Sequence, residues 1–118
     1  IIDSISISNT RDKAISIGES SIVSGNEIFI DNSNFGIVSK DLSESFFSNI
    51  NIQNTNLALS VYQKKIEFGS SRLEIKNLKI MNCEKKYSLE EGSILKINQI
   101  FQKNNTNNSL STFNDTLF

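Results

Sequence analysis

The residues best suited to chemistry in this sequence lie in one irregular stretch, Tyr62-Gln63-Lys64-Lys65-Ile66-Glu67-Phe68-Gly69-Ser70-Ser71. It gathers two aromatics, two lysines and a carboxylate within ten residues. An aromatic plane beside cations and a carboxylate suits an acidic sugar, whose C–H face stacks while its carboxylate is paired. The competing reading is a solvated loop whose Tyr62 or Phe68 covers the edge of a core. Lys40 and Asp41 fall at the register of Tyr62 and Gln63 one repeat earlier, and Gly18 and Glu19 one repeat before that. Tyr62, Lys64, Lys65, Glu67, Lys40 and Asp41 are therefore the candidate ligand-binding residues. Calcium takes six to eight oxygens, and Glu19 with Asp41 is too thin a set, so no metal and no cofactor is expected. No catalytic residue is assigned. The chain has no histidine, which removes the usual zinc ligand and every Ser-His or Cys-His mechanism from this segment.

What must position these residues is a repeat. An apolar-x-apolar-x-Asn word occurs as Ile5-Ser6-Ile7-Ser8-Asn9, Ile28-Phe29-Ile30-Asp31-Asn32, Ile50-Asn51-Ile52-Gln53-Asn54 and Leu78-Lys79-Ile80-Met81-Asn82. A weaker copy is Ile100-Phe101-Gln102-Lys103-Asn104, and successive asparagines are 23, 22, 28 and 22 residues apart. A second word reads Ala14-Ile15-Ser16-Ile17, Gly36-Ile37-Val38-Ser39 and Ala58-Leu59-Ser60-Val61, with degraded copies beginning at Tyr87 and Ser109. A third apolar column, Ile2, Gly25, Phe47, Ile75 and Ile97, precedes the asparagines by seven residues.

Period-2 segments separated by Gly, Asn, Ser and Asp are strands and turns, not helices. A five-residue strand with one buried face is not stable alone, so successive repeats must stack. The expected fold is all-β: a right-handed parallel β-helix, a solenoid passing about five times through a 22-residue coil of three short strands. Residues 1–104 form the coils, 62–71 are an insertion in the third, and 105–118 are an Asn-rich tail or partial last coil. Ile5, Ile28, Ile50, Leu78 and Ile100 should stack as one internal column, and Ile15, Ile37 and Leu59 as another. Asn9, Asn32, Asn54 and Asn82 should form a hydrogen-bonded ladder at a bend, with Asn32 and Asn54 mostly buried. The rival is a leucine-rich repeat, whose period is similar but which needs a helix or an irregular arm.

Composition sets the remaining bounds. Twelve basic and thirteen acidic residues in 118 give a net charge of −1, which argues against a nucleic-acid arm or a polybasic membrane patch. No run of 18 apolar residues marks a membrane span. Cys83 has no second cysteine to pair with. The segment carries no signal peptide and opens on Ile1, so further coils or a second domain are expected outside it.

With this pattern the sequence resembles right-handed parallel β-helix proteins of the pectate-lyase-like superfamily. The stretches Gly36-Ile37-Val38-Ser39-Lys40-Asp41-Leu42-Ser43 and Leu57-Ala58-Leu59-Ser60-Val61-Tyr62, with the loop that follows, are similar to β-helix modules of bacterial surface or secreted proteins. Some of those are attached to spore-coat-kinase-like domains. The resemblance implies a bacterial, extracellular or cell-envelope setting and a polysaccharide partner. It leaves three functions open, because fold does not choose among them. The first is a non-catalytic module that binds or displays carbohydrate. The second is a fragment of a polysaccharide lyase or hydrolase, and the third a passive stalk or adhesin repeat.

Overall fold

The structure, a computed structural model, describes residues 2–62 and 71–105. The described residues are all-β, with ten strands: β1 (Ile5–Ser8), β2 (Lys13–Ile17), β3 (Ile22–Asp31), β4 (Phe35–Lys40), β5 (Glu44–Gln53), β6 (Leu57–Tyr62), β7 (Arg72–Met81), β8 (Lys85–Leu89), β9 (Ile94–Ile97) and β10 (Ile100–Phe101). Through β9 the chain alternates between two sheets, ordered β1-β3-β5-β7-β9-β10 and β2-β4-β6-β8. All neighbours pair parallel except β9 and β10. No helix lies among the described residues, which removes the leucine-rich rival's helical arm.

The inward columns follow the repeat. Ile5, Ile28, Ile50 and Leu78 are register partners, as are Ile7, Ile30, Ile52 and Ile80. In the second sheet Ile15 pairs with Ile37 and Ile37 with Leu59. Ile2, Gly25, Phe47, Ile75 and Ile97 form a further row. Apart from Ile5 and Ile7 on the edge strand, the apolar side chains of these rows belong to one core, because alternate residues of a strand face one side. The Phe47 ring lies over Gly25, where an added Cβ would approach it to 2.9 Å. Gly36 is more constrained: a Cβ there would sit 2.2 Å from the Ala58 carbonyl oxygen. The small residue therefore permits close approach of β4 to β6.

The structure departs from the sequence expectation in four places. Each repeat has two strands rather than three, because the first two expected segments are continuous in the ten-residue β3, β5 and β7. Glu27, Asn49 and Asn77 adopt positive φ in mid-strand (54°, 58° and 64°) and drop out of the pairing register. Each long strand thus bends without breaking. Tyr87 aligns with Leu59, not with Ala58, so it continues the inward column of Ile37.

The fifth copy does not stack. Ile100 pairs with Ile97 in an antiparallel hairpin and is 66% exposed, so it does not join the Leu78 column. The cause is the Asn98-Gln99 turn, where both residues have positive φ (50° and 67°), the geometry of a tight two-residue hairpin. The asparagines, finally, are exposed rather than buried. Asn9, Asn32, Asn54 and Asn82 all take left-handed backbone (φ 51–59°), which Asn tolerates better than most residues. The residue after each is the one turned inward: Ser33 and Thr55 are buried, and their hydroxyls donate to the carbonyls of Asp31 and Gln53.

The ladder itself is present. The Asn32 side-chain amide donates to Asn9 Oδ1 at 2.7 Å, and that of Asn82 to Asn54 Oδ1 at 2.6 Å. Asn54 donates to Asp31 Oδ1 (2.9 Å) rather than to Asn32. A second ladder runs Asn77 to Asn49 to Asn26, and Asn56 donates to Asn34.

Candidate functional site

The residues singled out from the sequence separate into buried and undescribed groups. Lys40 and Tyr62 are register partners on β4 and β6, and Asp41 follows Lys40 in a turn where Asp41 and Leu42 both have positive φ. The Asp41 amide donates to the Tyr62 carbonyl at 3.2 Å, so these residues do meet as the repeat requires. Their side chains are not displayed, however: Asp41 is 2% and Tyr62 3% exposed. Tyr62 packs with Phe35, Val38 and Leu57 in a second apolar cluster. Burial pushes its phenol well above the usual tyrosine range, and the charges of Asp41, Asp12 and Glu90 push it further. Lys40 is half-buried, with its stem over Gly18. Lys64, Lys65 and Glu67 lie outside the described residues.

Both faces of β4 and β6 are buried, which accounts for their near-continuous apolar runs, Phe35-Gly36-Ile37-Val38 and Leu57-Ala58-Leu59. Beside this layer Ser39, Ser43 and Ser71 form a closed trio of hydroxyls 2.7 to 3.0 Å apart. All three are buried, and their mutual bonds offset the cost of desolvating them.

The displayed chemistry lies on the outer face of the other sheet. Ser24, Phe46, Glu74 and Lys96 are successive register partners on β3, β5, β7 and β9, and Phe101 continues the row on β10. Phe46 is 39% and Phe101 62% exposed. Three strand spacings separate the two aromatics, roughly 14 Å. Between them Glu74 accepts a 2.6 Å bond from Arg72 Nε, and Lys96 Nζ sits 4.9 Å from the Phe101 ring centre. A groove of about 480 Å³ lies over the Ser24, Phe46, Glu74 and Lys96 part of this row, flanked by Asp3, Lys76 and Gln99.

Sequence reasoning missed this row, although its signal was present. Ser24, Phe46, Glu74 and Lys96 each stand one residue before the inward Gly25, Phe47, Ile75 and Ile97 and so must face outward. Phe101 had no such signal, because it joins the row only through the hairpin. Among the described residues no group of three or more His, Cys, Asp or Glu is placed to hold a metal ion, and no helix is long and apolar enough to cross a membrane.

Comparison with known proteins found no matching family model, no similar curated protein and no similar solved structure. The class that fold and site define is an all-β protein built on parallel sheets.

Proposed function

We propose that the chain is a non-catalytic module of a right-handed parallel β-helix that binds carbohydrate on the Phe46–Phe101 face. The solenoid reading is supported by the parallel pairs, in which every strand meets the strand one repeat on, 22, 23 or 28 residues later. It is supported too by the main apolar core, to which both sheets contribute. Right-handedness follows from the strong rule for parallel crossovers. On this reading there are four coils and a partial fifth that β10 turns back. The wider assignment, a pectate-lyase-like module of a bacterial surface or secreted protein in the cell envelope or outside the cell, rests on the sequence resemblance.

The observation that carries the binding reading is the row Phe46–Glu74–Lys96–Phe101, with aromatics at its ends and charge between them on strands whose register holds them in place. An apolar sugar face stacks on an exposed ring, while Lys96 and the nearby Lys76 favour an acidic sugar. Display fits better than catalysis because the Glu74 carboxylate is engaged by Arg72.

The test is titration of the chain with oligogalacturonate and with a neutral gluco-oligosaccharide. Binding of the acidic oligomer, weakened at least tenfold in Phe46→Ala with the fold retained by circular dichroism, is the expected result. Binding untouched in Phe46→Ala but lost in a Lys64→Ala/Lys65→Ala double variant moves the site to the 62–71 loop. No binding of either sugar overturns the proposal.

A further inference from the structure

Arg72, Glu74 and Lys76 alternate along the first half of β7 with Leu73 and Ile75. Leu73 and Ile75 are buried in the core, so the three charged side chains share the outer face. Lys96, the register partner of Glu74 on β9, adds another cation to that face. Glu74 therefore stands among three cations. Arg72 and Lys76 are two residues away along its own strand, and Lys96 is directly across.

Glu74 pairs with one of them. Arg72 Nε donates to Glu74 Oε2 at 2.6 Å, with the two side chains 36% and 27% exposed. Lys76 and Lys96 make no ion pair among the described residues, and Lys96 Nζ rests by the Phe101 ring instead. A planar guanidinium holds a carboxylate in a fixed direction better than a flexible, strongly hydrated ammonium does.

The position of Arg72 gives this choice a consequence. Glu74, Lys76 and Lys96 line the groove beside Phe46, but Arg72 does not. It lies in a neighbouring hollow with Ile22, Glu44 and Ile94. The groove thus holds two open ammonium groups and a carboxylate whose charge is met from outside. Lys76 and Lys96 are diagonal neighbours on adjacent strands, roughly 7–8 Å apart at their Cα atoms. Long flexible stems let the two ammonium groups reach carboxylates on successive sugars of one chain.

We infer that Arg72 sets the acid selectivity of this groove without touching the ligand, by holding the Glu74 carboxylate off Lys76 and Lys96. The ligand it favours is a sugar chain with carboxylates on neighbouring residues, and the inference rests on the carbohydrate reading of the Phe46 face. Arg72 is a positioning residue. Without it, Glu74 either turns to a lysine and neutralises it or stands unpaired and repels the incoming carboxylate. Both weaken an acidic ligand, and neither alters stacking on Phe46.

The test is calorimetric titration of the full 118-residue chain with oligogalacturonate and with a neutral gluco-oligosaccharide. Arg72→Met removes the charge and the donor while keeping an unbranched stem. It should weaken the acidic oligomer about fivefold, the worth of one exposed charge pair, with no change towards the neutral one. That loss should shrink as salt rises. Arg72→Met combined with Glu74→Gln should return to within about twofold of wild type, because the freed carboxylate is gone. Lys86→Met, which removes an equal charge from β8 in the other sheet, should leave binding unchanged. A double variant as weak as Arg72→Met alone, or an Arg72→Met variant that binds like wild type, overturns this inference and leaves the carbohydrate reading standing. A Lys86→Met loss equal to that of Arg72→Met also overturns it, since net charge would then suffice. No binding of the acidic oligomer by the wild type overturns the carbohydrate reading and this inference together.

Discussion

Replacing Asn54 by alanine separates what the ladder contributes from what the bend contributes. Asn54 holds φ at 51°, gives a 2.9 Å bond to Asp31 Oδ1 and takes a 2.6 Å bond from Asn82. The site is exposed, so water replaces much of each lost bond, and about 0.5 kcal/mol apiece is appropriate. Left-handed backbone at alanine adds about 1 kcal/mol. Asn54→Ala should therefore cost about 2 kcal/mol, read by urea unfolding with the slope unchanged. Asn54→Gly loses the same bonds but not the left-handed preference, and after its own entropy cost should recover about 0.5 kcal/mol. Asn54→Ala indistinguishable from wild type would refute the ladder as a source of stability. Asn54→Gly less stable than Asn54→Ala would refute the backbone part of the reasoning.

Gly36→Ala should destabilise by about 3 kcal/mol, at the upper end for overpacking, because the clash is with the Ala58 backbone 2.2 Å away and no side chain can rotate aside. Thermal melting checks it, and a normal melt would mean that β4 and β6 are further apart than described. Tyr62 predicts an alkaline limit. Its folded-state pKa is raised by burial and then by Asp41, Asp12 and Glu90. Above pH about 10 the unfolded state releases a proton that the folded state keeps, so stability present below that pH falls by about 1.4 kcal/mol per unit as pH rises. Tyr62→Phe should lose less stability than wild type between pH 9 and 11, followed by urea unfolding at each pH; parallel losses would contradict the burial of the phenol.

The inward columns were legible because the same spacing recurs at Ile28 and Ile50 and only one register buries every copy. The bend at Glu27, Asn49 and Asn77 was not, since a left-handed residue inside a continuous strand looks like a gap between two strands. Asn32 and Asn54 misled for a related reason. Their regularity reflects a backbone angle that asparagine accepts, and burial falls to the small hydroxyl residue that follows. Ile100 and Phe101 keep the repeat's apolar word while Asn98-Gln99 reverses the chain, so the local pattern and the turn disagreed and the turn prevailed. The trio of Ser39, Ser43 and Ser71 spans the 62–71 insertion and could be found only in three dimensions. The outward row of Phe46, Glu74 and Lys96 was readable from the columns, but charge and aromatic density drew attention to the loop instead.

The central claim is parallel stacking of one repeat on the next, and inter-methyl nuclear Overhauser contacts on a methyl-labelled sample test it most directly. The account predicts contacts linking Ile5 to Ile28, Ile28 to Ile50 and Ile50 to Leu78, with Ile100 contacting Ile97 and not Leu78. Absence of the Ile28–Ile50 contact, or backbone contacts pairing β3 with β5 in antiparallel order, would contradict it.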